Sequence, residues 1–146
     1  MLKFIPSEVY AALSFRQGAF PDFDRLAGFF LPEAVFINNK GDVPQVKQLH
    51  TYINMVESLI DDGTMLSLRE TEIEQTCQVY GKVAQINSAY ELVFSTPEGV
   101  FTRYGVNLFQ LVKCDNRWLI TSMCWDDRPD ETLHKQLPKG AGLHKH

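Results

Sequence analysis

The sequence predicts one α+β domain in which N-terminal helices cover an antiparallel sheet, and three observations carry that reading. Apolar residues up to Ile60 recur at three- and four-residue steps. From Met65 onward the chain reads as four long strands. Only short turn signals separate those strands, which implies hairpins in series.

Ser7 is placed to cap a helix running to Gln17, with Glu8 in its first turn and Gly18 as its stop. Pro21 and Asp22 open a second short helix that sets Phe23, Leu26, Phe29 and Phe30 on one side and ends at Pro32. Ala34–Ile37 reads as a short strand and Asn38–Asp42 as a turn. A third helix is expected over Gln45–Ile60, because Val46, Leu49, Ile53, Val56 and Ile60 form one apolar face. The strands are expected at Met65–Tyr80, Lys82–Ser95, Val100–Cys114 and Arg117–Asp126. Gly81, Pro97-Glu98-Gly99 and Asp115-Asn116 divide them. The domain is expected to span residues 1–128, with a polar tail at 129–146.

Turn lengths allow a face assignment. A four-residue turn at Thr96–Gly99 sets Tyr90 opposite Gly105 and Ser88 opposite Asn107, and a two-residue turn at Asp115-Asn116 sets Phe109 opposite Ser122. Regular alternation then gives a helix-covered face that includes Ile86, Ser88, Tyr90, Arg103, Gly105, Asn107, Phe109, Ser122 and Cys124. The opposite face carries Val106, Leu108, Met123 and Trp125, too apolar for plain solvent, which predicts a homodimer through the outer sheet face.

Composition excludes several classes. With 45% hydrophobic and 22% charged residues the chain is not disordered. A net charge of −4 without a dense Lys/Arg run argues against nucleic acid, and no apolar run reaches membrane-spanning length. Cys77, Cys114 and Cys124 are odd in number and lack CxxC spacing, so neither a disulfide framework nor a zinc site is expected. His134, His144 and His146 fall in the tail, leaving no cluster with metal-ligand spacing. No metal or cofactor is expected, and the location is read as cytoplasmic.

The stretches Asp22–Ile37, Gly81–Glu91 and Tyr104–Ile120, the last running on to Trp125, resemble the nuclear transport factor 2-like superfamily, which includes SnoaL-like and ketosteroid isomerase-like proteins. The resemblance covers roughly residues 5–127. It implies a strongly curved sheet wrapped around helices, a cone enclosing an apolar cavity. Members include isomerases, dehydratases, cyclases, epoxide hydrolases and binding modules, so the fold does not settle the function. The steroid isomerase machinery does not carry over. Aligned on Phe30, Ala34 and Gly41, the position of its carboxylate base falls at Asn38, whose amide is no base at neutral pH. The position of its oxyanion tyrosine falls near Ser14 or Phe15.

The candidate residues remain. His50 is the one histidine placed for catalysis, at the edge of the third helix's apolar stripe, with Glu57 two turns on, about 11 Å along the backbone. Tyr90, Arg103 and Asn107 fall on the inner sheet face, where Tyr90 and Asn107 could hold a carbonyl or hydroxyl and Arg103 a carboxylate. Asp126 and Asp127 read as a strand-ending charge pair, and Glu70, Glu72 and Glu74 as one solvated face. Two functions fit. One is binding of a small apolar ligand in the cone, with isomerase or lyase chemistry of SnoaL-like type. The alternative is a non-catalytic dimeric interaction domain.

Overall fold

A computed structural model of the chain describes residues 1–138. A 3-10 turn at Leu2–Phe4 leads into helix α1 (Ile5–Leu13), which ends four residues before the expected Gln17. Ser7 lies inside this helix and does not cap it; its Oγ donates to the Phe4 carbonyl at 3.0 Å. Ser14 turns extended at the other end, and its Oγ donates to the Tyr10 carbonyl at 2.8 Å. The next residue, Phe15, is held by a two-bond bridge to Leu68, which keeps the chain from continuing as helix. Asp22 caps α2 (Phe23–Ala27) by accepting from the Arg25 N–H at 3.1 Å.

The expected strand at Ala34–Ile37 is the core of a longer β1 (Phe30–Asn38). Pro32 lies within it, where the pairing with the neighbouring strand is interrupted between Phe30 and Val35; a residue without an N–H fits such a break. The expected helix from Gln45 is corrected. Gln45–Gln48 is strand β2, antiparallel to β1, and α3 runs Leu49–Asp61. Val46, assigned to the helix face, is therefore an exposed strand residue.

The four long strands are β3 (Ser67–Tyr80), β4 (Val83–Thr96), β5 (Gly99–Cys114) and β6 (Arg117–Arg128). They form the expected meander, and β1 joins its end in parallel to β6, giving the order β2-β1-β6-β5-β4-β3. Asp115 and Asn116 both take positive φ, at 49° and 63°, the conformation a two-residue hairpin turn demands. The sheet bends around the helices as an α+β cone. Val9 and Tyr10 of α1 and Leu26 of α2 pack with Phe36, Ile86, Phe109, Leu111 and Ile120 of the sheet.

Two β-bulges decide which residues face the cone. The β3–β4 register shifts between Glu72 and Glu74, so Ile73 is the extra residue and is more than half exposed. The β5–β6 register shifts between Gln110 and Leu111, so Thr121 is the extra residue opposite them. Beyond that point Phe109 pairs with Met123, not Ser122, and Asn107 pairs with Trp125. Met123 and Trp125 thereby leave the outer face assigned to them, and Ser122 and Cys124 leave the inner one.

Part of the expected tail belongs to the fold. A 3-10 turn at His134–Gln136 lies against β5; His134 is buried, donates from Nε2 to the Tyr90 carbonyl at 2.9 Å, and sets its ring edge-on to Tyr104. Leu137 is also buried. His144 and His146 lie outside the described residues.

Gly105 sits where Tyr90 of β4 and Asp127 of β6 meet across β5. A Cβ there would overlap the Tyr90 hydroxyl and the Asp126 carbonyl. The space that glycine leaves is filled by the Tyr90 phenol. Gly105→Ala is expected to lower stability by about 1–3 kcal/mol, the usual cost of overpacking, measured by urea unfolding; an unchanged midpoint would contradict the packing described.

Candidate functional site

The cavity between α3 and the concave sheet has a volume of about 290 Å³, near the lower end for ligand pockets. Its wall is mostly apolar: Leu13 at the end of α1 and Phe15 just beyond it, Tyr52, Met55, Val56 and Leu59 from α3, and Leu68, Leu92, Phe94, Met123 and Trp125 from the sheet. Tyr52 stacks on Phe36 with ring centroids 4.1 Å apart and meets Trp125 edge-on at 6.1 Å, which fixes one side of the wall. Asn38, Lys40 and Gln45 contribute polar groups from the β1–β2 connection. Asn38, at the position of the isomerase base, accepts the Lys40 N–H at 3.0 Å.

The inner polar residues are Glu70, Tyr90, Asn107 and Asp127. Without the bulges, strand alternation would turn Glu70 and Asp127 outward; the extra residues Ile73 and Thr121 turn both inward. Asp127 is almost fully buried. Its Oδ1 accepts from Arg103 Nε at 2.9 Å and its Oδ2 from the Tyr90 hydroxyl at 2.9 Å, while Arg103 Nη2 also reaches the Asp127 carbonyl at 3.0 Å. Breaking such a buried pair leaves an uncompensated charge, so the three residues form one unit.

Glu70 differs. It contributes only its backbone N–H to a hydrogen bond, donating to Ser14 Oγ at 3.0 Å, and its carboxyl stands on the cavity wall without a protein partner among the described residues. Burial and then the charge of Asp127 push this carboxyl from the ordinary 4.5 up to about 8, with Lys40 pulling the other way. The Tyr90 phenol is driven well above its usual range by burial, then by Glu70 and Asp127, so it stays a proton donor.

Behind this wall lies a second polar layer. Asn107 Nδ2 donates to the Tyr10 hydroxyl at 3.0 Å, Tyr10 donates to Ser88 Oγ at 2.8 Å, and Ser88 donates to Glu72 Oε2 at 2.7 Å. Burial, the largest cause, also raises the Tyr10 phenol far above its ordinary range. Asn107 Oδ1 is buried and has no partner among the described residues.

The expected site residues divide. Tyr90 and Asn107 line the cavity. Arg103 stands behind it, half-buried and paired with Asp127, and is not free for a ligand carboxylate. His50 is corrected: it is exposed, contacts Asn54 on the outside of α3 at 3.3 Å, and lies off the cavity wall, while Glu57 is exposed as well. The inward stripe of α3 is Leu49, Tyr52, Ile53 and Val56, and His50 sits beside it toward solvent. Glu70 and Glu72, read as part of a solvated face, and Asp127, read as half of a strand-ending charge pair, are the acidic groups of the interior. Among the described residues no group of three His, Cys, Asp or Glu side chains is arranged to hold a metal ion.

No family model matches the sequence, and no curated protein matches it. Solved structures do match. LinA superposes with a TM-score of 0.71 at 12% identity, over 87% of this chain and 83% of that one. A protein of unknown function with a cystatin-like fold from Nostoc punctiforme gives 0.62 at 12% identity, over 90% and 91% of the two chains. A nuclear transport factor 2-like protein of unknown function from Shewanella baltica gives 0.54 at 12% identity, over 88% and 91%. At such identities the likeness shows the fold alone.

The raised Glu70 pKa makes a stability prediction. A carboxyl whose folded pKa lies above its unfolded one is protonated in the folded state while the unfolded chain releases the proton, so stability falls as pH rises from about 4.5 toward about 8. The slope is at most about 1.4 kcal/mol per pH unit, and less here because Glu70 keeps partial exposure. Glu70→Gln should flatten that decline, read as melting temperature against pH; parallel profiles would show that Glu70 titrates normally.

Proposed function

We propose that this chain, with its nuclear transport factor 2-like fold, binds a small apolar molecule inside the cone and catalyses a proton transfer on it, as an isomerase or lyase of SnoaL-like type. The observation that carries the proposal is the lone Glu70 carboxyl on an otherwise apolar cavity wall, beside a second carboxyl whose two oxygens are already occupied by Arg103 and Tyr90. A proton-transferring group is most effective when its pKa lies near the working pH, and burial brings Glu70 there. Asp127 then acts through its charge, raising Glu70, and Tyr90 holds Asp127 in place. A cytoplasmic location belongs to the same proposal and is supported by three free cysteines.

The test uses 1-indanone, a small carbon acid of bicyclic shape. In deuterated buffer the protein should accelerate exchange of its α-protons, followed by NMR, and Glu70→Gln should reduce that acceleration by about 100-fold or more. The ligand should shift the methyl resonances of Met55 and Leu92 on the cavity wall and leave Leu108 and Leu137, outside it, unmoved. Binding without exchange would reduce the proposal to a binding module.

A second reading concerns the outer face. Val106 and Leu108 remain there, Leu108 is 44% exposed, and with Leu133, Leu137 and Pro138 they line an apolar hollow of about 360 Å³. We propose that a second copy of the chain packs on this face. Light scattering at micromolar concentration should give twice the chain mass, and Leu108→Glu should give a monomer; a monomeric wild type would refute this.

A further inference from the structure

The hydrogen-bond chain behind the cavity has a direction. Asn107, Tyr10, Ser88 and Glu72 are linked in sequence at 3.0, 2.8 and 2.7 Å. Each hydroxyl in such a chain gives one hydrogen and receives one, so the sense of the whole is set at its end. Glu72 is that end. Gln75 directs Nε2 at the Lys3 carbonyl (2.9 Å), which can only accept, and the same nitrogen reaches the two Glu72 oxygens at 3.1 and 2.9 Å. Gln75 is thereby fixed as a donor to Glu72; burial raises this carboxyl above its ordinary range, and the hydrogen bonds from Ser88 and Gln75, which favour the carboxylate, pull it back down. With the carboxylate accepting, Ser88 must donate to it, Tyr10 must donate to Ser88, and Asn107 must present Nδ2 to Tyr10. The carbonyl end of the Asn107 amide, on a residue of the cavity wall, is left over, buried and without a partner among the described residues.

We infer that Glu72, which does not itself line the cavity, is a positioning residue for specificity: through Ser88 and Tyr10 it turns the Asn107 amide so that Oδ1 is offered to the ligand, and the ligand is an apolar molecule with a hydroxyl head. This rests on the reading of the cone as a small-molecule site. A buried carbonyl oxygen without a partner is costly, and a ligand hydroxyl supplies the missing hydrogen. A ketone of the same shape brings a second acceptor against Oδ1 and leaves it unpaired. The bulge at Ile73 is what makes the device possible, because it turns Glu72 to the same side of the sheet as Tyr90 and Ser88.

The test compares 1-indanol with 1-indanone, which share a ring skeleton and differ at one oxygen. The wild type should bind the alcohol about 3- to 10-fold more tightly, the worth of one neutral hydrogen bond. Glu72→Gln gives Ser88 either an amide hydrogen or a carbonyl oxygen, so the chain loses its fixed sense. Ser88→Ala removes the acceptor of Tyr10, whose hydroxyl then turns to Asn107. Both variants should bring the alcohol-to-ketone ratio to within about twofold of unity. A merely structural lesion would weaken both probes in parallel and leave the ratio alone. A wild-type ratio near one, or a ratio unchanged in both variants, overturns the inference. If neither probe binds the wild type, the small-molecule reading fails, and the amide orientation is decided separately by NMR. Contacts from the Asn107 side-chain NH2 protons to the Tyr10 ring are expected in the wild type and should weaken in Glu72→Gln. Their absence from the wild type overturns the inference by itself.

Discussion

The interior depends on two extra residues. Ile73 in β3 and Thr121 in β6 each insert one position into an otherwise regular ladder, and each reverses the facing of everything beyond it. The first brings Glu70 and Glu72 inside; the second brings Met123, Trp125 and Asp127 inside. Remove either bulge and the cone loses a carboxyl. Gly105 is part of the same constraint, since it admits the Tyr90 ring to the place where its hydroxyl reaches Asp127. The arrangement costs stability locally: an isoleucine stands more than half exposed while three acids are drawn inward. Local rules give way in this manner at functional sites more often than elsewhere.

That exchange also explains what the sequence conceals. Helices before strands, the three hairpins, the Asp115-Asn116 turn and the pairs Tyr90–Gly105 and Ser88–Asn107 are all legible from spacing and turn chemistry. So is the placement of Tyr90 and Asn107, because the β4–β5 ladder runs without a shift from turn to turn. The β3–β4 and β5–β6 ladders do not. Counting from Gly81 puts Ile73 inside and the glutamates outside, the arrangement hydrophobicity favours, so nothing in the residues warns of the bulge. At Thr121 a signal does exist. Regular alternation leaves Met123 and Trp125 on an outer face already rich in Val106 and Leu108, and a one-residue shift relieves that excess.

The other departures have tertiary causes. Gln45–Gln48 has helical spacing when joined to the Leu49–Ile60 stretch, but β1 offers an open edge and captures it as strand β2. His50 falls at the boundary of the apolar stripe on a helical wheel and in the fold sits just beyond it, toward solvent. His134 has the polar neighbours of a tail, yet the Tyr90 carbonyl and the Tyr104 ring give it a buried place. Each outcome turns on a partner outside the local window, which periodicity within that window cannot register.

The parallel pairing of β1 with β6 has a consequence for how the chain comes into being. β1 is made before the strands that lead to its partner, β6. Until β6 has left the ribosome, one flank of β1 is unpaired, Phe36 lacks Met123 as a neighbour, and the cavity has no Trp125 or Asp127. The nascent chain can close the β3–β4–β5 meander as it emerges, but the cone must wait for β6. Chaperone dependence should accordingly track the emergence of β6 more than the length of chain already made.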